Sequence, residues 1–187
     1  MDRKQMVLGQ YLHQCVDQLD LQGTMEKMEA HRRGVLHRAF SVFVFNGKGE
    51  LLLQKRASNK YHCAGKWTNT CCSHPHPGET TETAAARRLQ EEMGFQTPLM
   101  KIFAFTYKSE LDNGLVEHEF DHVYAGFSDG PVMPNFEEVG DFCFKSLDDI
   151  EQSLEAHKHL YTPWFTLALP QVKAWLTGYQ EEWETKT

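Results

Sequence analysis

A thiol and an imidazole lie two residues apart in segment 67–75. Cys72 precedes His74 by two positions, and residues i and i+2 of an extended segment lie on the same face. We therefore expect both side chains in one pocket, with the thiol as a nucleophile or proton carrier and the imidazole as a metal ligand. A thiol near a metal and basic residues would have a lowered pKa. A small apolar role is the simpler interpretation for the other cysteines, Cys15, Cys63, Cys71 and Cys143.

Three histidines and two glutamates offer nitrogen and oxygen ligands for a metal ion. His31 and His37 bracket a loop that enters a predicted strand, and His74 follows the cysteine pair. Glu117 and Glu119 lie two apart on another predicted strand, so their carboxylates share a face. A mixed set of this kind suits Mn, Fe, Zn or Mg better than a thiolate zinc site. A single histidine is more often a surface or hydrogen-bonded residue, and it is the convergence with the thiol that favours a metal site.

A predicted helix adds a carboxylate and a guanidinium on one face. Glu92 can hold Mg²⁺, which usually keeps substrate phosphates and water among its ligands. Arg88, one turn earlier, can bind phosphate oxygens through two parallel hydrogen bonds. Lys27, Arg56 and Lys60 are further basic residues at loop or strand ends. Taken singly, each of these three is better explained as a solubilising surface charge.

Two aromatic residues complete the set of candidates. Trp164 follows Pro163 at the start of the last predicted helix, where a rigid turn can project the ring. Tyr107 lies on a strand expected to pair with the one that carries Glu117. Trp164 is more often a core residue, but a ring over a cleft also stabilises a cation by ~2 kcal/mol when desolvated.

Length and composition indicate one soluble domain. The 187 residues are enough for one sizeable core and too few for two. A net charge of −7 argues against a nucleic-acid partner but leaves room for a small anionic substrate. No apolar run is long enough to span a membrane, and the first residues lack a secretory signal. The odd count of 5 cysteines favours free thiols in a reducing, cytoplasmic compartment.

The order of elements predicts an α/β sandwich rather than a doubly wound sheet. Both alternate sets of side chains in the strand from Arg38 to Phe45 are largely apolar, so we expect cover on both faces. The remaining predictions are a strand near 12–16, a hairpin at 46–49 with a returning strand 50–56, a helix from 79 to 93, a hairpin of strands 101–110 and 115–127, a strand 141–145, a helix from 146 to near 157, and a last helix from 163 with a kink at 170.

The central predicted helix has start and stop signals and an apolar stripe. Thr80 or Thr81 can cap its start, and Gly94 suits the left-handed position at its end. Side chains at a spacing of four form the stripe expected to face inward: Ala85, Leu89 and Met93.

Several segments together carry a family resemblance that spans nearly the whole chain. They are Gly23-Thr24-Met25-Glu26-Lys27 with His31, Leu36-His37-Arg38-Ala39-Phe40, Thr68-Asn69-Thr70-Cys71-Cys72-Ser73-His74-Pro75, Glu117-His118-Glu119 and Thr162-Pro163-Trp164. These segments closely resemble type 1 isopentenyl-diphosphate Δ-isomerase.

The central helix also resembles a degenerate Nudix box. Counting back from residues 91–95, the first glutamate of the box falls on Glu79 and its arginine on Arg87. Ser73 stands in place of the opening glycine, and Arg88 in place of the glutamate after the arginine. A hydrolase of that superfamily is expected to keep its glutamates, so these departures favour the isomerase.

The resemblance implies an α/β fold, a Nudix-like sandwich of mixed β-sheets and flanking helices. It also implies a reversible, metal-dependent proton shift that converts isopentenyl diphosphate into dimethylallyl diphosphate. The implied ligands of an inner Mn²⁺, Zn²⁺ or Mg²⁺ are His31, His37, His74, Glu117 and Glu119. Glu92 is implied to bind a Mg²⁺ that bridges the diphosphate, and the implied diphosphate contacts are Lys27, Arg56, Lys60 and Arg88.

The resemblance assigns proton transfer to Cys72 and Glu117 across the substrate. One protonates the alkene and the other removes a proton from the far carbon. Tyr107 is implied to assist Glu117, and Trp164 to shield the tertiary cation. We expect a monomeric, cytoplasmic enzyme with one catalytic domain over 1–187, an N-terminal extension at 1–25 and a C-terminal tail at 179–187.

Two other functions compete with this hypothesis. A Nudix diphosphohydrolase would explain the helix and Mg²⁺ but would leave Cys72, Trp164 and the histidines without a role. A non-enzymatic module that senses diphosphate or binds a partner predicts an incomplete metal set, whereas this chain has every member of the set that the resemblance implies.

Overall fold

The computed structural model describes the backbone of residues 6–11 and 20–184, and side chains within 23–181. The strands are β1 (Met6–Tyr11), β2 (Asp20–Glu26), β3 (His37–Phe45), β4 (Leu51–Arg56), β5 (Trp67–Thr68), β6 (Cys71–Ser73), β7 (Met100–Glu110), β8 (Val116–Phe127) and β9 (Val139–Lys145). The helices are α1 (Lys27–Arg33), α2 (Thr81–Met93), α3 (Leu147–His157) and α4 (Pro163–Glu184). The strand predicted near 12–16 lies outside the described residues.

The strand β3 is the centre of the sheet. It pairs in parallel with β8, from His37 opposite Glu119 to Phe45 opposite Phe127, and antiparallel with β6. The strand β8 also forms the predicted hairpin with β7. Parallel and antiparallel pairs in one sheet make it mixed, as expected.

The predicted hairpin between β3 and β4 is only partly correct. The two strands pair at Phe45 and Leu51 and then diverge, and β4 continues antiparallel to β9. The segment that carries Thr70 lies between the two strands. The Thr70 hydroxyl accepts a hydrogen bond from the Val44 N–H (2.9 Å) and donates one to the Leu52 carbonyl (2.7 Å). A side chain therefore replaces backbone pairing between the strands.

Helices cover both faces of the sheet, as the two apolar sets in β3 predicted. The even positions of β3 pack in a layer under α2 that includes Phe40, Val42, Val44, Ala84, Ala85, Leu89 and Met93. Odd positions pack in a layer under α3 and α4 that includes Phe43, Phe45, Ile150, Phe165, Leu169 and Val172. Burial on both faces holds β3 and the residues at its ends in fixed positions.

Helix α2 has the caps that its sequence predicted, although it begins at Thr81 rather than Glu79. The Thr80 hydroxyl accepts a hydrogen bond from the Thr83 N–H at 3.1 Å, and Gly94 adopts a left-handed φ of 76°. The end of the helix is covered by a loop, because Met133 N–H donates to the Met93 carbonyl at 3.0 Å. This loop continues into the cavity described below.

Helix α4 completes the core from the C-terminal side. Pro163 occupies its first position, and the helix continues without a break through Pro170 to Glu184. The Tyr179 ring lies 5.2 Å from the Phe127 ring, so the segment expected as a tail begins inside the helix. The division into a domain, an extension and a tail stays a prediction. Among the described residues, no helix is long and apolar enough to cross a membrane.

Candidate active site

One cavity of about 520 Å³ collects most of the predicted site residues. Those that line it are Lys27, Arg56, Lys60, Cys72, His74, Arg88, Glu92, Glu117, Glu119 and Trp164. The other three, His31, His37 and Tyr107, are buried behind the wall and contact residues that line it. The cavity also exposes residues that sequence reasoning missed: Phe40, Ser41, Gln54, Asn59, Tyr61, His62, Ser73, Glu137 and Glu138.

Three imidazoles and a carboxylate converge at one end of the cavity. Their ligand atoms, from His31, His37, His74 and Glu119, all lie within 4.8 Å of one another. The Nε2 atoms of His37 and His74 are 3.2 Å apart, and His74 Nε2 lies 2.9 Å from Glu119 Oε1. The elements bring these residues together directly, since His37 is paired with Glu119 across β3 and β8.

The surroundings of the histidines favour metal binding through Nε2. The Nδ1 atoms of His31 and His37 lie 2.7 Å and 2.8 Å from the carbonyls of Lys27 and Val35. Protonated Nδ1 atoms would donate there and leave each Nε2 with a free lone pair. His31 Nε2 is buried and has no hydrogen-bond partner among the described residues. Burial lowers the pKa of His31 to about 4 and that of His74 to about 3, which keeps both neutral, the form that binds metals. The donor set therefore fits a divalent ion.

The two carboxylates on β8 have different surroundings. Tyr107 Oη lies 2.9 Å from Glu117 Oε2 and 2.7 Å from Glu119 Oε2. Burial and the charge of Glu119 raise the pKa of Glu117 well above its usual range. Burial has the same effect on Glu119, but hydrogen bonds with His37 and His74 outweigh it and hold the pKa of Glu119 well below its usual range. The different surroundings thus shift the pKa values of two identical carboxyl groups in opposite directions.

The neighbouring cysteines face opposite sides of the sheet. Cys71 is fully buried in the layer under α2, while Cys72 lines the cavity with His74. The expectation of a lowered thiol pKa near a metal stays a prediction, and the protein groups around Cys72 act in the opposite direction. Burial raises its pKa to about 12, and the opposing influence of Arg56 is too small to prevent it. The thiol is therefore protonated at neutral pH, as a proton donor must be.

Four basic side chains line the same cavity. The pKa of Lys27 falls to about 8 because of burial and then of the nearby charges of Arg56, Lys60 and Arg88. This mutual repulsion is a direct sign that the four cations share one space. In the described structure Lys60 and Arg88 both pair with the carboxylate of Glu138. The distance from Arg88 Nη2 to Glu138 Oε1 is 3.5 Å.

Glu92 is buried at the end of α2 near this basic group. Gln54 donates to its Oε2 at 2.9 Å, and Arg88 Nη2 donates to its Oε1. Each carboxylate oxygen therefore has one donor and keeps a second lone pair that could bind a metal ion. Nearer the start of the helix, Arg87 forms a bidentate pair with Glu79, which precedes the helix, with two contacts of 2.8 Å. Glu79 and Arg87, two positions of the Nudix box, are thus paired although they lie 8 residues apart in the sequence.

Trp164 is both a core residue and part of the cavity wall. The side chain is 3% exposed and packs with the core under α4, yet it also lines the cavity. Its ring lies 5.4 Å from the Arg56 guanidinium carbon and 5.9 Å from the His62 ring, which meets it edge-on. The ring is therefore an apolar wall beside the basic group.

The residues missed from the sequence lie mainly in two loops. Tyr61 and His62 follow Lys60 in the loop between β4 and β5, and Glu138 precedes β9. A loop has no periodicity that would place its side chains inside a cavity. The sequence offered one sign that His62 lies in the cavity: it is two residues from Lys60, a predicted diphosphate contact in the same short loop.

Comparisons with known proteins agree with this geometry. The NUDIX domain model matches residues 35–165. A Pectobacterium atrosepticum protein named isopentenyl-diphosphate Delta-isomerase is 47% identical over 160 residues, which covers 86% of this chain and 89% of that protein. A protein of the same name from Aliivibrio fischeri is 45% identical over 174 residues, covering 88% and 96%.

Solved structures show the same fold at low identity. The DR0079 protein from Deinococcus radiodurans has a TM-score of 0.64 at 15% identity, covering 81% of this chain and 90% of its own. A MutT NUDIX hydrolase from Burkholderia pseudomallei has a TM-score of 0.59 at 22% identity, covering 73% and 98%. Sequence relatives and fold together lead to one conclusion: the chain belongs to the NUDIX family and, within it, to the isopentenyl-diphosphate Delta-isomerases.

Proposed function

We propose that this chain interconverts isopentenyl diphosphate and dimethylallyl diphosphate. The observation that carries the proposal is the content of one cavity, which holds the Cys72 thiol, a buried carboxylate pair and four basic side chains. The names of the similar bacterial proteins support the same reaction. A Nudix hydrolase has no need for the thiol or for an apolar wall beside the diphosphate.

The basic group would bind the diphosphate. Lys27, Arg56, Lys60 and Arg88 lie at one part of the cavity wall, and the two arginines can each offer two parallel donors to phosphate oxygens. The diphosphate does not react, so its binding energy serves to hold and orient the reacting carbons. On binding, Lys60 and Arg88 would exchange the Glu138 carboxylate for phosphate.

Two metal positions fit the donor atoms. His31, His37, His74 and Glu119, whose ligand atoms lie within 4.8 Å of one another, would hold an inner ion. Glu117, which lies outside this cluster and groups instead with His31 and His62, would be a fifth ligand. Mn²⁺, Zn²⁺ and Mg²⁺ all suit a mixed N/O set. Glu92 would hold a Mg²⁺ near the diphosphate if Arg88 exchanged its contact with Glu92 for phosphate oxygen. When bound, these ions supply positive charge that fixes the carboxylates and neutralises the diphosphate.

Cys72 and Glu117 would carry the protons on opposite sides of the substrate. One donates a proton to the terminal alkene carbon, and the other removes a proton from the carbon on the far side of the resulting tertiary cation. No oxidant or reductant is needed, because one proton is added and one is lost. Tyr107 would steady Glu117 through the 2.9 Å contact, and Trp164 would shield the cation from water.

The reaction class is tested by incubating the protein with isopentenyl diphosphate in D₂O and recording NMR spectra. Allylic isomer that contains deuterium supports the isomerase, whereas released phosphate or pyrophosphate identifies a hydrolase. Binding without any reaction would support the sensing module instead. Chelation of all metal should abolish turnover, and the variant His74→Ala should lose the inner metal by elemental analysis.

The thiol is tested with a matched pair of variants. Cys72→Ala should lower turnover by ~10²-fold or more, as expected for the loss of a positioned acid or base. Cys71→Ala, which alters the adjacent thiol buried on the opposite face of the sheet, should have a mild effect. Near-normal turnover in folded Cys72→Ala would refute the role.

A separate pair of variants distinguishes the roles of Glu117 and Glu119, because Tyr107 contacts both carboxylates. Glu117→Gln should abolish deuterium exchange. Glu119→Gln, which removes the partner of His74, should mainly lower the metal content. Full exchange in metal-loaded Glu117→Gln, together with none in metal-loaded Glu119→Gln, would assign the proton transfer to Glu119.

The cellular setting is also part of the proposal. We propose a cytoplasmic monomer. The free thiols of Cys63, Cys71, Cys72 and Cys143 support the reducing compartment only. Light scattering coupled to gel filtration measures the mass of the particle, and a value twice that of one 21.6 kDa chain would refute the monomer.

A further inference from the structure

His62 occupies a central position in the cavity to which neither the sequence motifs nor the family comparison assigns a role. The side chain is 4% exposed and lines the cavity. Its Nε2 lies 3.4 Å from Glu117 Oε1, and its ring stacks on His31 at 5.8 Å. The ring also meets Trp164 edge-on at 5.9 Å. One side chain therefore lies close to a proposed proton carrier, a proposed metal ligand and the aromatic wall.

The loop around His62 holds the ring in place. Arg56 Nη2 donates to the His62 carbonyl at 3.2 Å, and the Gly65 N–H donates to the Arg56 carbonyl at 3.0 Å. Cys63, the next residue, is buried and adopts a φ of 48°, which non-glycine residues rarely occupy. Strained backbone of this kind persists only where the surrounding structure imposes it, and it clusters at functional sites.

Glu117 has two oxygens, and each lies near a different side chain. Tyr107 Oη lies 2.9 Å from Oε2, while His62 Nε2 lies 3.4 Å from Oε1. A hydrogen bond at Oε2 and a second donor close to Oε1 would limit rotation of the carboxylate, and a fixed orientation favours proton transfer to a carbon. The second nitrogen of His62, Nδ1, is buried without a hydrogen-bond partner among the described residues. The interaction with Glu117 is therefore the main polar role that the ring can have.

We propose that His62 is a positioning residue that donates its Nε2–H to Glu117 and, with Tyr107, fixes the plane of that carboxylate against the substrate. The inference rests on the proposed isomerase function and deepens it. Two other roles are distinguishable. His31, His62 and Glu117 also form a group that could hold a metal ion, and His62 could serve only to fill the space beside Trp164.

Two amide variants separate these roles, since the amide nitrogen of glutamine reaches the place of Nε2 and that of asparagine reaches only Nδ1. His62→Asn should lower kcat by ~10- to 100-fold, the usual cost of losing a group that orients a site residue. KM should stay within about twofold, because the diphosphate contacts are intact. His62→Gln should restore kcat to within ~5-fold of the parent. The same two changes at His122, a half-buried histidine outside the cavity, are the control.

Each outcome decides the inference. Equal kcat loss in the two His62 variants, or a change in KM alone, would overturn it. Loss of the inner metal from His62→Asn by elemental analysis would instead make His62 a ligand. If circular dichroism shows that neither variant folds, His62 serves the core and the proposal fails. If the parent protein does not isomerise the substrate, the proposed function fails first, independently of any His62 variant.

Discussion

Gly94→Ala tests the junction between helix α2 and the loop that leads to the cavity. Gly94 has a φ of 76°, and a Cβ added there would overlap the Met133 carbonyl oxygen and lie 2.9 Å from the Met133 carbonyl carbon. The obstacle is backbone, which cannot rotate away. Gly78 is the matched control, because its φ is 78° and nothing lies within 4 Å of an added Cβ.

The two variants share one energetic cost and differ in a second. A left-handed conformation costs an alanine about 1–2 kcal/mol at either position. At Gly94 the loop must also move, and overpacking of this kind typically costs a further ~1–3 kcal/mol. We therefore expect Gly94→Ala to lower the free energy of unfolding by ~2–5 kcal/mol and Gly78→Ala by ~1–2 kcal/mol.

Urea denaturation of both variants measures the difference. Because the displaced loop continues from Met133 to Glu137 and Glu138 in the cavity wall, Gly94→Ala should also raise KM for the diphosphate substrate. Equal destabilisation of the two variants, within about 0.5 kcal/mol, would show that the close approach to Met133 carries no cost. That result would refute the steric argument and leave only backbone strain.

Three further variants test other contacts. Trp164→Leu should lower kcat by ~30-fold with little change in KM, equivalent to losing ~2 kcal/mol of cation stabilisation; a rise in KM alone would show that the ring serves Arg56 instead. Arg87→Ala should lower stability by ~0.5–1 kcal/mol at neutral pH. Arg87 holds the pKa of Glu79 below 4.5, so this difference should shrink as pH falls below that value, and a difference that persists in acid would contradict the assignment. Thr70→Val should cost ~2–4 kcal/mol in thermal or urea unfolding by leaving two buried backbone groups unpaired, and a neutral effect would mean that β3 and β4 close up.

Local patterns predicted the elements that depend on neighbouring residues. The caps of α2 at Thr80 and Gly94 are short-range hydrogen-bonding and backbone effects, so the sequence nearby is enough to specify them. The two apolar sets of β3 predicted cover on both faces, because alternation in a strand reports each face directly. The family resemblance then identified candidate site residues that are far apart in the chain.

Features that depend on contacts distant in the chain were not predictable in this way. The divergence of β3 and β4 depends on the Thr70 hydroxyl, and nothing in the hairpin sequence itself reports that side chain. The raised pKa of Cys72 depends on how deeply the folded chain buries the thiol. His62 lies in a loop without periodicity, so its approach to Glu117 is visible only in three dimensions.

The carboxylate of Glu138 gives the cavity a built-in counter-ion. Four cations in one cleft would attract any polyanion in the cell, including nucleotides and free phosphate. Because Lys60 and Arg88 already have an anionic partner, an incoming anion must displace a carboxylate that the chain itself holds at high effective concentration. A single phosphate gains little from that exchange, whereas a diphosphate that arrives with Mg²⁺ gains more contacts than it replaces. The Glu138 carboxylate would therefore favour a diphosphate over a single phosphate at this part of the cavity.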